Sequence, residues 1–317
     1  MRIDSYVRSR SLALMVLFGL SLGSLAAQTA SLPPAEAGAK DRLNSSPRHG
    51  EWARYPAAGG DSVDAWVVYP ERKEKAPVVV VIHEIYGLTD WVRAVADQFA
   101  AEGFIAVAPD LLSGKGPGGK GSVGMEKDTA TALIRNLGAE EVVKRLDATA
   151  EYSKSLPSAA TRFAVVGYCW GGGISFAYAT ARPDLSAAIV FYGTSPAAQS
   201  LAAVKAPVLG LYGGNDNRVN ATIPAASNEM QRLGKRYETE IYQGAGHGFL
   251  RQQDGQNGAN MAATEKAWAR VVNFLKAELE TRTSGAARPG DPLLAAFSAA
   301  DDCIDECASE PLSVAAN

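Results

Sequence analysis

The sequence predicts an α/β protein with a mostly parallel central sheet and helices on both faces. Three observations carry that expectation. APVVVVIHE (76–84) is a continuous β-branched run, as expected of a parallel strand covered on both faces. WVRAVADQFAAEG (91–103) has helical spacing and stops at a glycine. Stretches of these two kinds then alternate from residue 63 to residue 279, the order of a sheet wound with helices on either side.

Taken in order, VDAWVVYP (63–70) alternates as a strand, and 76–84 and FIAVAPDLL (104–112) are strands flanking the helix at 91–103. SGKGPGGKGSVG (113–124) is a glycine-rich loop. A helix follows at 140–156, then the strand RFAVVGYC (162–169), and a helix at 171–183 after a sharp turn. LSAAIVFYG (185–193) and APVLGLYGGND (206–216) are strands ending in loops. A helix at 222–235, a strand and loop at 237–249 and a long helix at 260–279 complete the series. Ligands and catalytic groups of such sheets gather at the carboxyl ends of the strands. His83, Glu84, Cys169, Asp216 and His247 all fall there.

Of the 317 residues, 47% are hydrophobic and 21% charged, enough for one domain, expected over 51–283. The net charge of −3 leaves no basic field for nucleic acid. The chain opens with three arginines in MRIDSYVRSR, then the apolar run SLALMVLFGLSLGSLAA, then small polar residues. This is the order of a secretory signal peptide over 1–27, cleaved after Ala27. The mature protein is therefore expected to be periplasmic or secreted, with no stable membrane span. The Ala-, Pro- and Ser-rich residues 28–50 read as a linker, and the acidic tail 284–317 lacks periodicity and reads as disordered. Cys169, Cys303 and Cys307 are the only cysteines, too few for a disulfide framework. Cys303 and Cys307 could form a local disulfide or hold a metal weakly. A monomer needing no cofactor or metal is expected.

Gly167-Tyr168-Cys169-Trp170-Gly171 fits the pattern glycine, any residue, nucleophile, any residue, glycine between a strand and a helix. A helix N-terminus favours a thiolate and a developing oxyanion. A buried cysteine in a glycine-rich turn is the commoner case, so the motif alone is weak. Asp216 in GGNDNRV lies 47 residues further on, and His247 in GAGHGF another 31. Nucleophile, acid, histidine is the chain order of α/β-hydrolases. In that chemistry His247 takes the thiol proton while Asp216 fixes the imidazole tautomer. The oxyanion hole is expected from the backbone N–H groups of Trp170 and Ile85. Glu84 stands beside it, able to pair with an arginine or to accept the thiol proton directly. Gly87 stands where a zinc-binding H-E-x-x-H would need its second histidine.

HEIYGL, APDLL, GYCWGG, GGNDNRV and AGHGFLR together resemble the dienelactone hydrolase (carboxymethylenebutenolidase) family, over about Ala76 to Leu279. The resemblance implies a single-domain α/β-hydrolase that opens an enol lactone without a cofactor. It implies Cys169 as nucleophile, Asp216 and His247 as its triad partners, and Glu84 as the carboxylate that holds the resting thiol. It makes Arg251 the binder of a substrate carboxylate. By rough alignment Lys127 stands where the family has a second arginine, on the lid-side helix. Trp170 is bulkier than the family's usual aliphatic residue, and the family's enzymes of aromatic catabolism carry no export signal. The expected partner is thus a small ester or lactone. A cysteine amidase or peptidase and a non-catalytic binding protein of hydrolase fold are the alternatives.

Overall fold

The computed structural model describes residues 31–280. Its strands are β1 (Gly50–Pro56), β2 (Ser62–Val68), β3 (Ala76–Ile82), β4 (Ile105–Asp110), β5 (Ala159–Tyr168), β6 (Ala187–Phe191), β7 (Val208–Gly213) and β8 (Tyr237–Tyr242). They form one sheet in the order β1-β2-β4-β3-β5-β6-β7-β8. β2 runs antiparallel to both its neighbours, and the pairs from β4 to β8 are parallel.

Every residue of β3, β4, β6 and β7 is buried, which explains their unbroken apolar runs. Val80 sits at the centre, opposite Val107 on one side and Val165 on the other. β1 and β8 form the edges and are partly exposed, Trp52 and Ile241 included.

The helices are α1 (Ala39–Ser45), α2 (Asp90–Ala101), α3 (Lys127–Arg135), α4 (Ala139–Ser155), α5 (Trp170–Ala181), α6 (Asn217–Asn220), α7 (Ile223–Arg232) and α8 (Ala259–Glu280). Thr89 caps α2 by accepting a hydrogen bond from the Val92 N–H. α5 packs on β5 and β6, and eleven of its residues, Trp170 to Thr180, are buried. Among the described residues no helix is long and apolar enough to cross a membrane.

The expected strands and helices of 63–279 all form, with ends shifted by a few residues. Four elements had no forecast, among them α6, the single turn after Asp216. β1 is a half-exposed edge strand closed by Pro56. α3 is a short helix containing two threonines, and α1 lies in the segment read as a linker. Residues 31–50 owe their order to contacts that composition does not reveal. Ala39 is buried, and Leu32 and Leu43 pack against the core. Arg42 donates to Gln98 Oε1 at 2.8 Å, and Arg48 is paired with the buried Asp97. The expected signal peptide at 1–27 and the expected disordered tail at 284–317, with Cys303 and Cys307, lie outside the described residues.

Candidate active site

The turn from β5 to α5 holds Cys169 at φ 54°, ψ −119°, a conformation that L-residues seldom adopt. Two glycines make it possible. A Cβ on Gly167 would stand 1.8 Å from the Gly171 carbonyl oxygen, and one on Gly171 would stand 2.3 Å from that of His83. The turn therefore closes tightly on itself and on the end of β3. The Cys169 N–H donates to Phe191 O at 3.0 Å, and its carbonyl accepts from Gly172 and Gly173. Cys169 is disulfide-bonded. Trp170 opens α5, so its N–H has no acceptor within the helix.

His83 fixes the loop after β3. It is fully buried between two backbone partners: Nε2 accepts from the Leu111 N–H at 3.2 Å, and Nδ1 lies 2.7 Å from Glu84 O. These partners assign the proton to Nδ1. Burial lowers the His83 pKa despite the Asp110 charge, which agrees with a neutral ring. The ring stacks on Trp170 with centroids 5.6 Å apart. The bulk of Trp170 therefore has a structural use, tying the start of α5 to the loop that carries Glu84 and Ile85. Ile85 itself is fully buried.

Two loops meet at the ends of β7 and β8. A Cβ on Gly213 would lie 2.4 Å from the Gly246 carbonyl, so only glycine lets the chains approach. Asn215 N–H donates to Ala245 O at 2.9 Å, and Gly214 N–H to Tyr242 O at 2.8 Å. This stitching sets Asp216 Oδ2 2.6 Å from His247 Nδ1. Asp216 Oδ1 also accepts from Val219 N–H at 3.3 Å, capping α6. Both side chains are buried. The His247 ring packs edge-on against Tyr192, with centroids 5.2 Å apart. Tyr192 directly follows Phe191, the acceptor of the Cys169 N–H. The end of β6 thus joins the cysteine turn to the histidine loop.

Glu84 is buried, and its carboxylate lies 2.7 Å from Arg251 Nε, an ion pair lacking the alignment of a hydrogen bond. This is the pairing with an arginine, one of the two uses expected for Glu84. Burial raises its pKa, an effect that Arg251 and His247 oppose. Its charge also raises the Tyr168 pKa, beyond the larger effect of burial, so Glu84 borders the cysteine turn.

Arg251 and Lys127, both expected at a substrate carboxylate, converge on Glu36. Arg251 Nη1 donates to Glu36 Oε2 at 2.7 Å, and Lys127 Nζ to Glu36 Oε1 at 2.7 Å. Both cations lie over the Tyr86 ring, 5.5 and 4.8 Å from its centroid. Glu36, Tyr86 and Tyr192 had no place in the sequence reading. Tyr192 carried a signal, its position at a strand's carboxyl end. Glu36 carried none, since it lies in what reads as linker.

An eight-stranded sheet with one antiparallel strand near its edge, a strained turn into α5, and an acid–histidine pair after β7 and β8 define an α/β-hydrolase. The chain belongs to the dienelactone hydrolase family, whose model matches residues 63–279, and it is a hydrolase of the dienelactone hydrolase type. It is 31% identical over 206 residues to carboxymethylenebutenolidase 1 of Cupriavidus pinatubonensis, covering 64% of this chain and 86% of that one. It is 31% identical over 248 residues to a Saccharolobus solfataricus protein provisionally named carboxymethylenebutenolidase, covering 68% and 95%. A Klebsiella pneumoniae crystal structure, provisionally titled a dienelactone hydrolase, superposes with a TM-score of 0.64 at 22% identity, covering 74% and 99%.

Proposed function

We propose that this chain is an exported hydrolase of carboxylic esters or lactones that works through Cys169, His247 and Asp216. The observation that carries the reading is the buried Asp216–His247 pair at 2.6 Å. It stands at the sheet edge where a strained turn presents Cys169 at the N-terminus of α5.

The reduced thiol gives its proton to His247 Nε2, while Nδ1–H stays on Asp216. The Cys169 sulfur attacks the acyl carbon, and the resulting oxyanion is held by the N–H groups of Trp170 and Ile85. Collapse breaks the bond to the alkoxide, which takes the proton from His247. A water then gives a proton to His247 and attacks the thioester, releasing the acid and restoring the thiol. In a lactone the alkoxide remains tethered, so one ring-opened hydroxy acid, or its keto tautomer from an enol lactone, is the product. The relatives' name, carboxymethylenebutenolidase, supports a lactone. Export rests on the N-terminal pattern of Arg2, Arg8 and Arg10 before an apolar run.

The test is hydrolysis of p-nitrophenyl acetate and of an unsaturated γ-lactone by purified protein treated with a thiol reductant. Turnover that depends on the reductant supports the reading, because the attacking sulfur must leave its disulfide. Reduced, folded protein that hydrolyses neither compound would overturn it.

A further inference from the structure

The segment before the sheet reaches the site through one side chain. Pro33 and Pro34 hold it stiff, and their carbonyls accept from Gln253 Nε2 at 2.9 Å and Trp91 Nε1 at 3.1 Å. Gln98 Nε2 donates to Ser31 Oγ at 2.8 Å. The Glu36 N–H donates to the Arg251 carbonyl at 3.0 Å, so the strap is fastened to the same residue by main chain and side chain. None of the first three bonds involves the Glu36 carboxylate.

That carboxylate completes a balanced cluster of Glu84, Arg251, Glu36 and Lys127, two anions and two cations. Arg251 is buried and reaches back toward the histidine loop, its Nη2 3.6 Å from where a Gly248 Cβ would stand. A small anion entering beside His247 would find Arg251 as its natural partner. It would meet a guanidinium already shared between two carboxylates, and its own charge would tip the cluster negative. Lys127, the next cation, is held by the same Glu36 carboxylate.

We propose that Glu36 is a specificity-determining residue: an internal counter-ion that fills the anion subsite beside the catalytic groups, so that uncharged substrates are favoured over carboxylated ones. The inference rests on the hydrolase reading above. It gives the stretch before the family domain a part in substrate choice.

The experiment compares reduced wild type with Glu36→Gln on one unsaturated γ-lactone bearing either a carboxylate or a primary carboxamide on the same side chain. Glutamine keeps the shape and the strap while removing the charge. The carboxylate-to-carboxamide ratio of kcat/KM should rise about tenfold or more, the scale of one charge-assisted hydrogen bond regained. Calorimetric binding of glutarate supplies a readout that needs no turnover, and its affinity should rise by a similar factor. Should no form of the protein open either lactone, the hydrolase reading fails and glutarate still decides the role of Glu36. Should Glu36→Gln fail to fold, Glu36→Asp, which draws the charge back by one methylene, should shift both readouts in the same direction. A folded variant with an unchanged ratio and unchanged glutarate affinity would overturn the proposal.

Discussion

Replacing Asp216 with asparagine separates its electrostatic role from its structural one. Asp216 makes two contacts, 2.6 Å to His247 Nδ1 and 3.3 Å to the Val219 N–H. Asparagine caps helices as well as aspartate does, so α6 should persist with a stability change within about 0.5 kcal/mol. The contact to His247 does not survive in kind. A charge-assisted hydrogen bond contributes about 1.5–3 kcal/mol. Losing that stabilisation of the imidazolium alone slows the reaction about ten- to a hundredfold, at 1.36 kcal/mol per decade. If the amide presents its NH₂ to Nδ1, the ring proton moves to Nε2, the atom that must accept the thiol proton. The combined loss in kcat should approach about a thousandfold. The assay is p-nitrophenyl acetate hydrolysis by reduced protein, with thermal unfolding as the control for folding. A folded Asp216→Asn variant within about threefold of wild type would refute the argument, and Asp216 would be only a helix cap.

Gly171→Ala should damage the fold as well as the site, because the new Cβ would lie 2.3 Å from the His83 carbonyl and neither backbone can yield. Overpacking of this kind costs about 1–3 kcal/mol, or roughly 2–12 °C in a domain of this size. An unchanged melting temperature would mean that the turn and β3 do not pack so closely. Glu84→Gln tests the buried ion pair through pH. Burial raises the Glu84 pKa in the folded state, so the native protein loses stability from this group as pH rises from the unfolded value through the folded one. Relative to the variant, wild type should therefore become less stable as pH rises above the ordinary glutamate range, in paired thermal scans. The opposite trend would show that Arg251 outweighs burial.

Sequence made the inner sheet legible because β3, β4, β6 and β7 are covered on both faces, and burial writes itself as apolar runs. Cys169, Asp216 and His247 stand out for a different reason: few residue types suit the proposed chemistry, and all three stand at strand ends. β1 escaped notice because an edge strand is half polar and its pairing with β2 is settled by tertiary contact. α1 and the strap escaped because prolines and small residues signal a linker unless their partners are known. Those partners, Trp91, Gln98 and Gln253, lie 57, 67 and 220 residues from the strap residues they bind. Arg251 and Lys127 stand out as candidate substrate-binding cations, but nothing local reveals that Glu36 joins them from 215 and 91 residues away.

The central claim, that the sulfur of Cys169 forms the covalent acyl intermediate, is tested most directly by Cys169→Ala. Alanine is smaller than cysteine and, having a Cβ as cysteine does, adds no new strain at φ 54°. The variant should fold with a melting temperature close to that of reduced wild type. Its turnover of p-nitrophenyl acetate and of an unsaturated γ-lactone should fall by about a thousandfold or more, because members of a catalytic unit fail together. Near-wild-type turnover by the purified, folded variant would contradict the account and place the nucleophile elsewhere.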